Sequence, residues 1–250
     1  MSAHVQIRPC IIIPIYNNRD TIRTVVESIE PTGIPCLIVD DGSDAGTRDV
    51  LENIDRDFNW IEVMHRERNG GKGAAMRDGF ATAAERGYSH AIQIDADGQH
   101  DAADIPRFLE AARQAPDALI LSMPLFDADA PKARVYGRLV TTFCVWIETL
   151  STEIKDTLCG YRCYPLEPVL RCYRRARIGD RMVFDTEIAV HLYWQGTPTR
   201  TIETHVHYAD GGMSHFDYLT DNLKISWMHI KLIAGMLPRI PRLIRRRRTR

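Results

Sequence analysis

Over the first 125 residues the apolar positions follow two alternating patterns. Short β-branched runs, "CIIIPI" (10–15), "PCLIVD" (35–40), "WIEVMH" (60–65), "HAIQID" (90–95) and "DALILS" (117–122), predict strands. Between them "DTIRTVVESI" (20–29), "DAGTRDVLENI" (44–54), "GKGAAMRDGFATAAE" (71–85) and "DIPRFLEAAR" (104–113) carry apolar residues at helical spacing. Alternation of this kind belongs to βα units. Right-handed crossovers would build an α/β, doubly wound, mostly parallel sheet whose strand-end loops open onto one ligand crevice.

The pattern changes after residue 125. "PLFDADAPKARVYG" (124–137) reads as a long loop, of the length used for lids. "RLVTTFCVWIETL" (138–150) puts Leu139, Phe143, Trp146 and Leu150 on one helical face, which predicts packing on the sheet. "FDTEIAVHLYWQG" (184–196) predicts a helix ended by Gly196, and "PTRTIETHVHY" (198–208) a strand. With no repeats and no linker, one domain is expected over residues 1–217, in halves of about 8–125 and 126–217, followed by an amphipathic helix and Arg-rich tail over 218–250.

Composition narrows the class. A chain of 250 residues, 44% hydrophobic and 26% charged, is neither disordered nor fibrous. Its six cysteines lack CxxC spacing and a matching ligand set, so reduced thiols in a cytoplasmic protein are expected. "MSAHVQIRPCIIIPIYNN" reads as no signal peptide, and no run approaches the ~18 apolar residues of a membrane span. The net charge of −1 hides an asymmetry: residues 231–250 carry eight Lys or Arg and no acid, leaving −9 on residues 1–230. In that tail Leu237, Ile240, Leu243 and Ile244 interleave with arginine, and Pro238 and Pro241 interrupt the helix. It suits an anionic membrane surface, where each basic residue contributes ~1 kcal/mol. A solubilising tail is the alternative, and the acidic body argues against nucleic acid. The expected location is peripheral, on the cytoplasmic inner face of a membrane.

Three strand-end turns hold the candidate chemistry: "PIYNN" (14–18), "VDDGSDAGT" (39–47) and "DADGQH" (95–100). Asp95 and Asp97 repel each other and need a cation or donors nearby. Mg²⁺ or Mn²⁺ sits between one or two carboxylates and substrate phosphates, and the Gln99 amide oxygen is a further ligand candidate. Any one such turn is also ordinary loop chemistry; three on one crevice point to a site. "NGGKG" (69–73) lacks the spacing of a P-loop, which excludes a nucleotide triphosphatase.

In their order and spacing, "PIYNN", "VDDGSDAGT", "RNGGKGAA" (68–75) and "DADGQH" resemble the inverting family-2 glycosyltransferases, in particular the dolichol-phosphate mannose synthase branch. "DTLCGYRCY" (156–164) is similar to that family's Asp-xxx-Gly-Phe-Arg segment, and "FDTE" (184–187) extends the likeness. The resemblance implies a glycosyltransferase A-type fold and a nucleotide-sugar donor, a UDP- or GDP-sugar. It implies that Pro14, Tyr16 and Asn17 line the base pocket, that Asp40 and Asp41 hold base and ribose, and that Asp95, Asp97 and Gln99 bind metal and diphosphate. Lys72 would supply positive charge to the diphosphate; a solvated lysine at a glycine-shaped helix start is the alternative.

The acceptor side matches less well. Ser122, Met123 and Pro124 stand where the family has Ser-Arg-Tyr, which removes an expected phosphate ligand and favours a hydroxyl-bearing acceptor, lipid-linked or hydrophobic. A hydroxyl needs a base. Asp185 and Glu187 are the first candidates and Asp156 the next, although acids at a helix start also serve as caps. Arg138 and Arg162 are candidate acceptor contacts, and Arg162 can instead pair with an acid. "HVHYADGGMSHF" (205–216) resembles a loop closing over the donor diphosphate, with His205 and His207 read as lid residues rather than zinc ligands. A polyprenyl-phosphate glycosyl (mannosyl or glucosyl) synthase is the alternative enzyme, and a catalytically silent membrane-surface binding protein the alternative of another class.

Overall fold

The structure, a computed structural model, describes residues 6–125, 132–206 and 218–248. Seven strands, β1 (Pro9–Ile15), β2 (Cys36–Asp40), β3 (Ile61–His65), β4 (His90–Gln93), β5 (Leu119–Leu125), β6 (Arg162–Pro165) and β7 (Thr199–His205), form one mixed sheet in the order β3-β2-β1-β4-β6-β5-β7. All pairs are parallel except those of β6, which runs antiparallel between β4 and β5. The register sets Ile15 beside Asp40 and Asp40 beside His65, so the turns after β1, β2 and β3 leave from one edge.

Helices cover both faces, which is why β1 is an unbroken apolar run. α1 (Arg19–Ile29), α2 (Ala45–Asp57) and α4 (Ile105–Gln114) supply Ile22, Val26, Leu51, Ile54 and Phe108 to the core that contains Ile11 and Ile13. α3 (Lys72–Glu85), α6 (Leu166–Arg175) and α7 (Phe184–Gln195) supply Met76, Phe80, Val169 and Ile188 to the opposite core, which contains Ile12. Sequence alternation did not foresee β6 and α6, since "RCYP" is too short to show a period of two.

The helix α5 (Lys132–Thr149) departs from expectation twice. It begins within the predicted loop, and its apolar face points outward. Leu139 and Phe143, expected on the sheet, are 59% and 60% exposed, and Tyr136 and Val140 are exposed beside them. Buried instead are Thr141, Thr142, Val145, Glu148 and Thr149. The cause is that α5 packs on α7 and on α8 (Tyr218–Met236) rather than on the sheet, whose face α3, α6 and α7 already cover. The inward polar groups are partly satisfied: Thr149 Oγ1 donates to the Val145 carbonyl at 2.7 Å and Glu148 Oε1 lies 2.6 Å from His229 Nδ1, while Glu148 Oε2 and His229 Nε2 are buried without a hydrogen-bond partner. Burial pushes Glu148 up, against the opposing pull of His229.

α8 shows the same two faces. Met228, Leu232 and Met236 are buried, whereas Leu223, Trp227 and Ile230 are exposed at helical spacing. After a 3₁₀ turn that holds Pro238, α9 (Ile240–Arg248) returns to the body with Leu243 buried. Two of its arginines close the end of α7. Arg242 donates to the Gln195 carbonyl at 3.0 Å, and Arg246 donates to Tyr193 and Thr197 carbonyls at 2.6 and 2.7 Å. Cations are favoured at such a helix end. The segment expected as a separate tail therefore contributes core residues and a cap. His207 and most of the predicted closing loop lie outside the described residues.

The two faces of α8 can be separated by denaturant unfolding. Leu232→Ala is expected to cost about 2–5 kcal/mol through the cavity it leaves, whereas Trp227→Ser should stay within about 0.5 kcal/mol. Equal losses would contradict the assignment of faces.

Candidate active site

The turns after β1 and β2 are clipped together. The Asn17 N–H donates to Ser43 Oγ at 3.0 Å and Asn17 Oδ1 accepts the Asp44 N–H at 2.9 Å. Asn17 holds φ +56, a left-handed conformation that Asn tolerates. Pro14, the last residue but one of β1, lies beside Val39, and Tyr16 follows the strand, 39% exposed.

Asp40 and Asp41, which the resemblance placed on base and ribose, are both buried and bonded within the protein. Asp40 Oδ1 accepts the Ser43 N–H at 2.9 Å and Oδ2 lies 2.8 Å from His65 Nδ1. Asp41 pairs with Arg66 and accepts N–H groups from Gly70 at 3.0 Å and Gly71 at 2.6 Å. The physical reason is desolvation: a carboxylate at that depth needs donors, and the "NGGKG" backbone supplies them. Asp41 thereby anchors the turn that carries Lys72.

Lys72, the first residue of α3, joins the two halves of the site. Its Nζ lies 2.8 Å from Asp95 Oδ1 and 3.1 Å from Asp185 Oδ2. Desolvation would drive the ammonium towards neutrality, but Asp185 and Asp95 outweigh it and hold Lys72 charged, above its ordinary range. Burial would likewise raise Asp95; Lys72 and His100 reverse this and hold it well below the usual carboxylate range. Desolvation and the Asp95 charge push Asp97 up. Gly160 closes the cluster, since a Cβ there would lie 2.4 Å from Asp95 Oδ2 and 2.6 Å from Lys72 Nζ.

Asp97 Oδ1 accepts the Gln99 N–H at 3.0 Å, which shapes the turn. Among the described residues no group of three or more His, Cys, Asp or Glu forms a complete metal cage. The donor set fits Mg²⁺ or Mn²⁺ in a different way, as two neighbouring carboxylates that leave coordination positions for substrate phosphates.

The three candidate bases separate. Asp156 receives Arg138 Nη1 at 2.7 Å and the N–H groups of Leu158 and Cys159 at 2.9 and 2.7 Å, so it holds a turn together. Glu187 accepts the Gly179 N–H at 2.6 Å and lies 3.0 Å from Lys231 Nζ, so both its oxygens are engaged. Asp185 alone of the three keeps a buried oxygen, Oδ1, with no hydrogen-bond partner. Thr157 and Thr186, 3.0 Å apart, bring the Asp156 turn beside Asp185, and hence Arg138 to the same region.

Arg162, a candidate acceptor contact, is fully buried. It donates to the carbonyls of Cys159, Asp185 and Thr157 at 2.9, 2.6 and 2.6 Å, and to the Tyr164 hydroxyl at 3.3 Å. Tyr164 bonds Gln93 at 3.1 Å, and Gln93 reaches Asp95 at 3.4 Å, completing a buried chain from α7 to the acidic turn. Sequence reasoning missed Gly160, His100 and Lys231. His100 stands in the quoted motif, but nothing in its spacing shows that Nε2 comes within 3.7 Å of Asp95.

This sheet with its strand-end acids is a glycosyltransferase A-type fold. Residues 10–176 match glycosyl transferase family 2, and the chain belongs to that family. It is 32% identical over 167 residues to the polyprenol monophosphomannose synthase of Mycolicibacterium smegmatis, covering 64% of this chain and 62% of that relative. It is 35% identical over 198 residues to the undecaprenyl-phosphate mannosyltransferase of Micrococcus luteus, covering 69% of this chain and 79% of the relative. Among solved structures, glucosyl-3-phosphoglycerate synthase from Mycobacterium tuberculosis with Mn²⁺, uridine diphosphate and glucosyl-3-phosphoglycerate superposes with a TM-score of 0.66 at 16% identity, over 92% of this chain and 79% of that one. That likeness is one of fold.

Arg162→Met should cost about 3–5 kcal/mol, the penalty for stripping a buried network of its charged partner. A variant of unchanged melting temperature, altered only in acceptor KM, would return Arg162 to the acceptor site.

Proposed function

We propose that this protein transfers a sugar from a nucleotide-diphosphate sugar to a polyprenyl phosphate at a membrane surface, with Mg²⁺ or Mn²⁺ held by Asp95, Asp97 and Gln99. The observation that carries the acceptor reading is the outward apolar face of α5 and α8. Tyr136, Leu139, Val140, Phe143, Leu223, Trp227 and Ile230 are exposed on two helices that pack together. Soluble surfaces seldom keep contiguous apolar stripes of this extent. The face starts beside Arg138, and the exposed Lys224, Arg245 and Arg247 of α8 and α9 lie on the same two elements as cations suited to anionic headgroups. Relatives whose names specify polyprenyl-phosphate acceptors support the same choice. No helix among the described residues is long and apolar enough to cross a membrane.

In the proposed reaction Tyr16 stacks on the base and Lys72 faces the diphosphate. The metal, when bound, neutralises charge on the departing nucleoside diphosphate as a Lewis acid. The acceptor phosphate, already an anion, attacks the anomeric carbon in line and needs no base. Arg138 orients it, at the expense of part of its pairing with Asp156. A second reading, a hydroxyl acceptor with Asp185 as base, is favoured by the unpartnered Asp185 Oδ1.

Purified protein given UDP- and GDP-sugars, Mn²⁺ or Mg²⁺, and vesicles bearing undecaprenyl phosphate or free polyprenol separates these readings. Transfer to the phosphate alone is expected; transfer to the alcohol alone would establish the second reading. Asp97→Ala should lower turnover by at least about 10²-fold, as removal of one electrostatic transition-state group does, and full activity in that variant would sink both. Phe143→Glu with Trp227→Glu should abolish flotation with anionic vesicles while nucleotide binding is retained.

A further inference from the structure

Glu187 sits in the first turn of α7, buried, and holds one donor from the segment just before that helix and one from α8. The Gly179 N–H fixes the segment 176–183 that joins α6 to α7, and the Lys231 ammonium comes from α8. That segment lies directly against the turn carrying Lys72. The Ala74 N–H donates to the Asp180 carbonyl at 3.2 Å, Arg77 pairs with the Asp180 carboxylate at 2.6 Å, and Arg181 donates to Asn69 Oδ1 at 3.1 Å. The approach admits only glycine: a Cβ on Gly71 would lie 2.4 Å from the Asp180 carbonyl oxygen, and one on Gly73 2.5 Å from that of Gly179. Lys72 stands between these two glycines, so where its ammonium points depends on where residues 179–181 lie.

We infer that Glu187 is a positioning residue that seats the Lys72 turn through the Gly179–Arg181 segment, and that Lys231 ties this seat to α8, the helix whose outer face carries Trp227 and Ile230. The inference rests on the reading of Lys72 as the cation facing the donor diphosphate. It explains why a carboxylate lies buried two residues from Asp185 with both oxygens bonded: loss of either donor would leave uncompensated charge. It also gives the apolar face a physical connection to the chemistry, since α8 touches lipid on one side and Glu187 on the other.

A double-mutant cycle tests it, using the full chain on undecaprenyl-phosphate vesicles. Wild type, Glu187→Gln, Lys72→Met and the double variant are compared for donor kcat/KM and for Mn²⁺-dependent binding of uridine and guanosine diphosphates. Glu187→Gln keeps an oxygen for the Gly179 N–H and loses the charge facing Lys231. The expected result is a loss of about tenfold in donor kcat/KM from Glu187→Gln alone, and no further loss once Lys72 is Met, because coupled residues are not additive. The same tenfold loss in both backgrounds, or none in either, would overturn the inference. If Lys72→Met itself leaves nucleotide binding and donor kcat/KM unchanged, the reading of Lys72 fails rather than the role of Glu187 in seating it. Lys231→Met, which alters a half-exposed side chain, provides a second variant should Glu187→Gln unfold. A loss of about threefold that likewise vanishes beside Lys72→Met supports the connection to α8, and unaltered activity removes it.

Discussion

The site depends on one ammonium. Lys72 lies between Asp95, from the turn after β4, and Asp185, from the first turn of α7, so two ion pairs on one ammonium join elements about 90 residues apart in the chain. Without it two carboxylates would face each other across a desolvated gap. Asp95, Asp97 and Asp185 gather three carboxylates around Lys72, and the buried Arg162 adds a second cation 3.8 Å from Asp185 Oδ1. The supporting contacts serve this geometry: Asp41 holds Gly70 and Gly71, Gly160 leaves room for Lys72, and Arg162 locks the Asp185 backbone.

Charge placement elsewhere follows burial. Arg162, a candidate acceptor contact, and Arg246, in the Arg-rich tail, both end on backbone carbonyls, because a guanidinium with five N–H groups is satisfied most readily where strand and helix ends leave carbonyls unpaired. Arg246 also lies 3.9 Å from the centre of the Tyr193 ring. The expected tail is thus partly a clasp on α7.

The strands and the turns that carry the chemistry were legible in the sequence, since β-branched runs bounded by Asp, Asn and Gly leave few alternatives. The partners of each charged group were not. That Asp41 takes Gly70 and Gly71, or Glu187 takes Lys231, depends on tertiary approach across 29 to 44 residues, and no local period encodes it. For α5 the sequence carried half of the information. Period 3.6 shows that Leu139 and Phe143 share a face, but the direction of that face depends on whether the sheet is already covered.

The outward turn of α5 bears on the residue that first argued against a lipid phosphate. Met123 lacks the charge expected there, and by affinity alone the loss of one arginine–phosphate contact weakens acceptor binding. An enzyme lying on the bilayer does not meet its acceptor at bulk concentration, however. Confinement to the same surface raises the effective concentration, as tethering does, and offsets a weaker contact without any new bond. Under that constraint affinity for the headgroup matters less than its orientation, the role proposed for Arg138, which Asp156 holds at the start of the apolar face.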